Sequence, residues 1–320
     1  MNSIGGYFEL ELRKGKEYHP NAIALNTGRN AFELILKVKK YKKVFIPYYT
    51  CDAILEPINK LNLDYEFYNI DKTLRPIFDF NKILKEAVFV YNNYFGICDK
   101  QVTEIIKKCK NIIIDNSQAF YSKPTKNIDA FYSPRKFFGV PDGSYLYTDT
   151  YIKNKFDQDI SNNKCLHLLG RVDKGAEEFY QNYLENENSL IGQPIKVMSN
   201  LTQQLLKSIN YKDIARKRRE NFIFLHKYLA GKNKLSFDLN PKEVPMVYPY
   251  WIEKGSELKN TLIKNKIYVA TYWPNVIDWI KSENVFEKYL FDNLIPLPID
   301  QRYNKKHMRI ILSLINNNYE

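Results

Sequence analysis

Short apolar runs alternate with helix-patterned stretches through the first half of the chain. Lys43-Val-Phe-Ile46 ends at Pro47 and predicts a strand, a helical stretch near Asp52–Leu61 follows, and Tyr65–Ile70 predicts the next strand. Ala87–Tyr91 is apolar and β-rich, Thr103–Cys109 is helix-patterned, and Asn111-Ile-Ile-Ile114 has the unbroken apolar character of a parallel strand buried on both faces. This alternation predicts an α/β fold with a mostly parallel sheet covered by helices. From about Ser199 the pattern changes. Leu201–Leu229 carries apolar residues at helical spacing, as one long helix or two consecutive ones. Beyond residue 246 a small α+β unit is expected, with Val247–Trp251 and Ile267–Thr271 as strands and Glu257–Asn265 and His307–Ile315 as helices. The expected division is a large domain over 1–205 and a small C-terminal domain over 206–320.

Composition narrows the function classes. The 320 residues are 44% hydrophobic, an ordinary fraction for a globular core, and no run approaches the unbroken apolar length of a membrane span. The first dozen residues have neither a basic nor an apolar signal region, so no export signal is expected. Cys51, Cys98, Cys109 and Cys165 are scattered without metal-like spacing and read as reduced thiols of a cytoplasmic protein; no metal site is expected. The net charge of +12 alone would admit nucleic acid. Its basic residues form short groups such as Arg216-Lys-Arg-Arg219 on solvated helix faces, with no nucleic-acid motif beside them. They point instead to a solvated surface or to attraction of a phosphate-bearing substrate.

Three segments carry candidate chemistry. Asp115 follows the apolar run 111–114 and so falls at the carboxyl end of the sheet, where open α/β folds bind ligands. A carboxylate there can keep a pyridinium nitrogen protonated, with Gln118 within reach of the ring hydroxyl; the alternative is a helix N-cap. Lys136 stands between a strand-like segment and a glycine-punctuated turn with aromatics on both sides, where desolvation would favour the neutral, imine-forming amine. Its alternative is an ordinary surface lysine. Thr27-Gly28-Arg29-Asn30 opens a helix running to about Lys39, and backbone N–H groups there suit a phosphate; the alternative is an ordinary capped start.

The order of these segments is more specific than any one of them. Thr27-Gly28-Arg29, Pro47-Tyr-Tyr-Thr50-Cys51, Asp115-Asn-Ser-Gln118 and Phe131-Tyr-Ser-Pro-Arg-Lys136 with Asp142-Gly143 occur in sequence. Asn93-Tyr-Phe-Gly96, Ile267–Pro274 and Ile295-Pro-Leu-Pro298 extend the series. The set resembles the DegT/DnrJ/StrS-type sugar aminotransferases, of fold type I of the pyridoxal 5′-phosphate (PLP) enzymes, the aspartate-aminotransferase-like fold. The resemblance implies Lys136 as the imine lysine and Asp115 as the pyridinium partner, the catalytic pair. It implies Gln118 at the ring hydroxyl, Thr27, Gly28, Arg29 and Asn30 at the phosphate, and Cys51 over a ring face, with Tyr48 or Tyr49 supplementing it. Arg29 replaces the usual Thr, and arginine suits phosphate well. Phe131 stands where relatives often carry a phosphate-holding Ser, and Ser133 is the substitute candidate. The family's Gly-x-Asn-x-Arg-Met segment, which reaches into the neighbouring subunit's site, aligns with the stretch ending at Val197-Met198-Ser199. Its Asn and Arg positions read Ile195 and Val197.

The activity so implied is transamination by a cytoplasmic homodimer, from an amino donor, glutamate in most relatives, to a keto-sugar, by analogy nucleotide-linked. Many relatives act in surface-polysaccharide or antibiotic sugar synthesis. Relatives that dehydrate instead replace the imine lysine with histidine, whereas this chain keeps Lys136. The remaining alternatives are a non-catalytic PLP-fold binding protein and a sugar-nucleotide glycosyltransferase, which would not need the Asp115–Lys136 pairing.

Overall fold

The structure, a computed structural model, describes residues 4–282 and 285–319; Met1–Ser3, which open the stretch read for an export signal, lie outside it. Eight strands form the main sheet: β1 (Ile23–Leu25), β2 (Lys43–Pro47), β3 (Asp64–Ile70), β4 (Pro76–Ile77), β5 (Ala87–Asn92), β6 (Ile112–Asn116), β7 (Asp129–Tyr132) and β8 (Ser144–Tyr147). Their order is β1-β8-β7-β6-β5-β2-β3-β4. Strands β3, β2, β5, β6 and β7 run parallel; β8 pairs antiparallel with β7, β1 antiparallel with β8, and β4 antiparallel with β3 at the other edge.

Alternation along each strand divides the core in two. Val44 and Ile46, Val88 and Val90, Ile113, Phe131 and Leu146 face one cluster together with the apolar side of α1 (Gly28–Lys39). Phe45, Phe89 and Tyr91, Ile112 and Ile114, Ala130 and Tyr132, and Tyr145 face the other. The first face is mostly aliphatic; the second is rich in rings and continues into the C-terminal half. Both faces are covered, which is why the strands read as apolar runs rather than as polar–apolar alternation.

Helix α1 begins where Thr27 takes an extended conformation and its Oγ1 accepts the Asn30 N–H at 3.1 Å. It ends with Lys37 and Lys39 in the last turn and Lys40 left-handed at φ 58°. The stretch 52–61 holds a 3₁₀ turn and then α2 (Leu55–Lys60). The helix expected at 103–109 is α3 (Asp99–Ile105). It starts four residues earlier, directly after the Asn93–Gly96 turn, and the chain leaves it through turns 106–108.

After β8 come α4 (Leu166–Lys174) and α5 (Tyr180–Ser189), then α6 (Asn200–Lys207) and α7 (Tyr211–Leu229). The span 201–229 is thus two helices; the Asn210 side chain accepts the Asp213 N–H and starts α7 afresh. Strands β9 (Tyr248–Trp251) and β10 (Leu294–Leu297) pair antiparallel as a separate two-stranded sheet. Around them lie α8 (Gly255–Lys264), α9 (Asn275–Trp279), α10 (Phe286–Asn293) and α11 (Lys305–Tyr319). The strand expected at Ile267–Thr271 is a correction: β9 pairs with β10, and this segment is irregular. Left-handed Lys266 turns the chain out of α8, and 267–273 crosses toward the main sheet instead of joining a ladder. Among the described residues, no helix is long and apolar enough to cross a membrane.

One buried cation ties the halves together. Arg218 of α7 is 2% exposed. Its guanidinium donates to Phe137 O (3.2 Å), Met246 O (2.9 Å) and Gln301 Oε1 (3.0 Å), and lies 4.6 Å from the Phe137 ring centre. Replacing it with Met leaves buried carbonyls short of donors, so Arg218→Met is expected to lose about 3 kcal/mol of stability. A urea midpoint unchanged from the parent would show that this arginine is not a structural tie.

Candidate functional site

The strand register assembles the site. Asn92, Asp115 and Phe131 are Cα partners across β5, β6 and β7. By alternation all three point to the α1 side, and Ser133, two residues past Phe131, follows suit. These positions lie at the carboxyl ends of the strands, beside the crevice between β5 and β2 where the chain connections reverse direction. A cleft opens there, lined also by the first turn of α1, by Cys51 after β2, and by Lys136.

The predicted residues fall as follows. Asp115 ends its strand in a turn, not at a helix start, so the N-cap alternative is not what forms; its Oδ1 accepts the Ser117 N–H at 2.7 Å. Burial pushes its carboxyl above the usual range, opposed by the Ser117 bonds and by Lys136. Gln118 is buried and its Oε1 accepts the Phe95 N–H at 3.0 Å, leaving the amide nitrogen as its donor end. That contact needs Gly96, where φ is +71° and a Cβ would meet Val244 O at 2.9 Å.

Lys136 lies in the 3₁₀ turn Pro134–Lys136, with protein packed around it and the water of the cleft open to it. Loss of solvent lowers its pKa, the Arg135 and Arg29 charges lower it further, and Cys51 and Asp115 oppose them. Its side chain is exposed to the water of the cleft, so its place in the cleft lining is what sets it apart from an ordinary surface lysine. The turn after it is braced by fully buried Asp142, which accepts from Thr202 Oγ1 (2.5 Å), Ser161 Oγ (2.5 Å) and Lys164 Nζ (3.2 Å).

Thr27, Gly28, Arg29, Cys51 and Ser133 all line the cleft. Asn30 does not reach it. Its amide donates to Asn26 Oδ1 (2.8 Å) and Pro194 O (2.7 Å), which fixes the entry to α1. The Pro47–Cys51 turn is partly the packed aromatic loop of the alternative reading. Tyr48 stacks on Phe67 at 4.6 Å and Tyr49 is fully buried, so neither supplements Cys51 in the cleft.

Among the lining residues that carried no assignment from the sequence are Asn92, Arg135, Glu187 and Trp273. Asn92 gives Nδ2 to Thr50 Oγ1 at 2.8 Å, while its Oδ1 is buried without a partner. Trp273 arrives from the C-terminal half and packs edge-on against Tyr49 at 5.0 Å; nearby Asn275 donates to Thr50 O at 2.9 Å. Asn92 had a readable signal, a polar residue ending an apolar strand as Asp115 does.

No protein-family model and no curated protein matches the sequence. Solved structures do match. A protein of Streptococcus pneumoniae assigned as a sugar aminotransferase, in its PLP form, superposes with TM-score 0.66 at 17% identity, covering 92% of this chain and 86% of the other. The sugar aminotransferase CalS13 of Micromonospora echinospora gives 0.63 at 14% identity over 94% and 88%. A DegT/DnrJ/EryC1/StrS aminotransferase of Brucella abortus gives 0.61 at 15% over 93% and 86%. At such identities the likeness establishes the fold: the chain has the α/β architecture of fold type I.

The electrostatics predict a reactivity profile. Lys136 should be acylated by a small amine-specific reagent at lower pH than the exposed lysines, read by peptide mass mapping across a pH series. Arg135→Gln should move its titration up, since a neighbouring positive charge is removed, and Asp115→Asn should move it down. A Lys136 titration matching the exposed lysines would contradict the desolvated setting.

Proposed function

We propose that this protein is a PLP-dependent aminotransferase that moves an amino group, from glutamate as donor, to the keto group of a nucleotide-linked sugar. The observation that carries the reading is the conjunction of Lys136, Asp115 and the cations Arg29 and Arg135 in the lining of one cleft. The names of the similar structures, sugar aminotransferases, support the substrate class.

The residues present fit the cofactor. A desolvated carboxylate at the end of β6 suits a protonated ring nitrogen, which would draw the Asp115 pKa back down. The start of a 12-residue helix with Arg29 beside it suits a phosphate dianion. Buried Asn92 Oδ1 is an acceptor unspent by the protein. Bound PLP would supply an electron sink for a carbanion beside its imine nitrogen. Toward that chemistry, Asp115 would hold a proton on the ring nitrogen, and the Gln118 amide would be the donor for the ring hydroxyl. Thr27, the Gly28 turn, Arg29 and Ser133 would hold the phosphate, and Cys51 would cover a ring face. The Lys136 Nζ would be the amine that holds the cofactor aldehyde and, when free, the base that could take or return the donor Cα proton. We place this activity in a cytoplasmic homodimer.

Incubating wild type and Lys136→Ala with PLP, and then with L-glutamate, tests the reading by visible absorption. The expected result is a wild-type band that the variant lacks and that glutamate converts to the amino form of the cofactor. A band unmoved by glutamate would favour another donor or a binding protein without turnover. No Lys136-dependent band would overturn the PLP reading and bring the glycosyltransferase forward.

A further inference from the structure

One of the two cations that line the cleft, Arg135, is a part that the resemblance does not supply. The segment aligned with the family's partner-reaching stretch is stitched into this chain's own sheet edge. Val197 bridges Leu25 of β1, Asn26 N donates to Lys196 O (3.0 Å), Met198 N donates to Ala24 O (3.1 Å), and Ile195 packs on the aliphatic cluster. What stands in the cleft lining instead is Arg135, adjacent to Lys136 in the sequence.

Arg135 is 17% exposed and lines the cleft with Arg29, which is 21% exposed. Each guanidinium meets a carboxylate of the chain, Arg29 with Glu56 at 2.9 Å and Arg135 with Glu187 from the last turn of α5. The pairing is incomplete. Arg29 Nε and Glu187 Oε1 are both buried and make no well-directed hydrogen bond. Burial disfavours the Arg135 charge and the nearby Arg29 guanidinium adds to it, a repulsion that a dianion between them would relieve. Glu187 itself faces the cleft and would repel that dianion.

We infer that Arg135 is a second phosphate-binding arginine of the cofactor site, and that Glu187 is the counter-ion which the phosphate displaces from it. This rests on the PLP reading above. A guanidinium can present two parallel N–H groups to a phosphate, a geometry matched to its oxygens. Helix α5 then carries a carboxylate whose release accompanies cofactor binding, and Leu190 just beyond it, also lining the cleft, moves with it.

The test compares equilibrium binding of PLP with that of pyridoxal, which has the same ring and aldehyde but no phosphate, together with competition by inorganic phosphate. Wild type should prefer PLP. Arg135→Gln should weaken PLP about 10- to 100-fold more than it weakens pyridoxal, the range of a charged hydrogen bond, since the altered Lys136 titration acts on both aldehydes alike. Arg135→Lys should fall between, keeping charge without the fork. Glu187→Gln should tighten PLP and inorganic phosphate several-fold and leave pyridoxal alone. Retention of the wild-type PLP-to-pyridoxal ratio in Arg135→Gln would overturn the inference and leave the PLP reading standing, as would weaker phosphate binding in Glu187→Gln. Wild type that takes up neither aldehyde at Lys136 would remove the PLP reading itself. Retained pyridoxal binding at Lys136 also shows that each variant is folded.

Discussion

The register of β5, β6 and β7 is the constraint on which the rest depends. Both faces of the sheet are covered, so every inward residue is committed to one cluster or the other. Asn92, Asp115 and Phe131 are partners in that register, and their shared face ends at the N-terminus of α1. A slip of one residue in β6 would carry Asp115 to the ring-rich face and bring Ile114 to the cleft. The packing of Val90, Ile113 and Phe131 under α1 therefore aims the carboxylate. The site needs no separate scaffold.

Desolvation then gives that arrangement its chemistry. It pushes Asp115 up and Lys136 down, toward neutral forms in each case, while their mutual attraction resists both. A cleft in this state favours a ligand that restores charge to the acid and has an electrophile for the amine. A pyridine aldehyde meets both demands, and its phosphate meets the cations Arg29 and Arg135 of the same lining. The partner groups are also pinned: Gln118 by the Phe95 N–H, and the turn after Lys136 by the three donors on Asp142.

How much of this was legible in the sequence follows from how local each feature is. Strands β2, β3, β5 and β6 and helix α1 were readable because apolar runs and a Thr N-cap are encoded within a few residues. Thr27, Gly28, Arg29, Cys51, Asp115, Gln118, Ser133 and Lys136 were recognised through motif order, and the structure brings all eight to one cleft. Asn30 was misassigned because its neighbour in sequence lines the cleft while its own side chain turns to Pro194, a contact 164 residues away. Ile267–Thr271 has β-forming residues but no strand to pair with, which composition does not reveal. Glu187 sits in a helix polar on nearly every side, so nothing in Tyr180–Ser189 distinguishes it from its solvated neighbours.

The C-terminal half completes the site by holding its backbone. Phe137 O, one residue beyond Lys136, accepts from Arg218 and also from Gln301 Nε2 at 2.8 Å. Thr50 O, beside Cys51, accepts from Asn275. On the far edge, buried Glu287 of α10 accepts the Ile70 N–H at 2.6 Å and the Asn69 amide at 3.1 Å. These three anchors reach β3, the turn after β2 and the lysine turn, all on different connections of the main sheet. A displacement of the C-terminal elements would therefore shift Lys136 and Cys51 together. The arrangement couples the cleft mouth, where Trp273 stands, to the groups that would carry the chemistry.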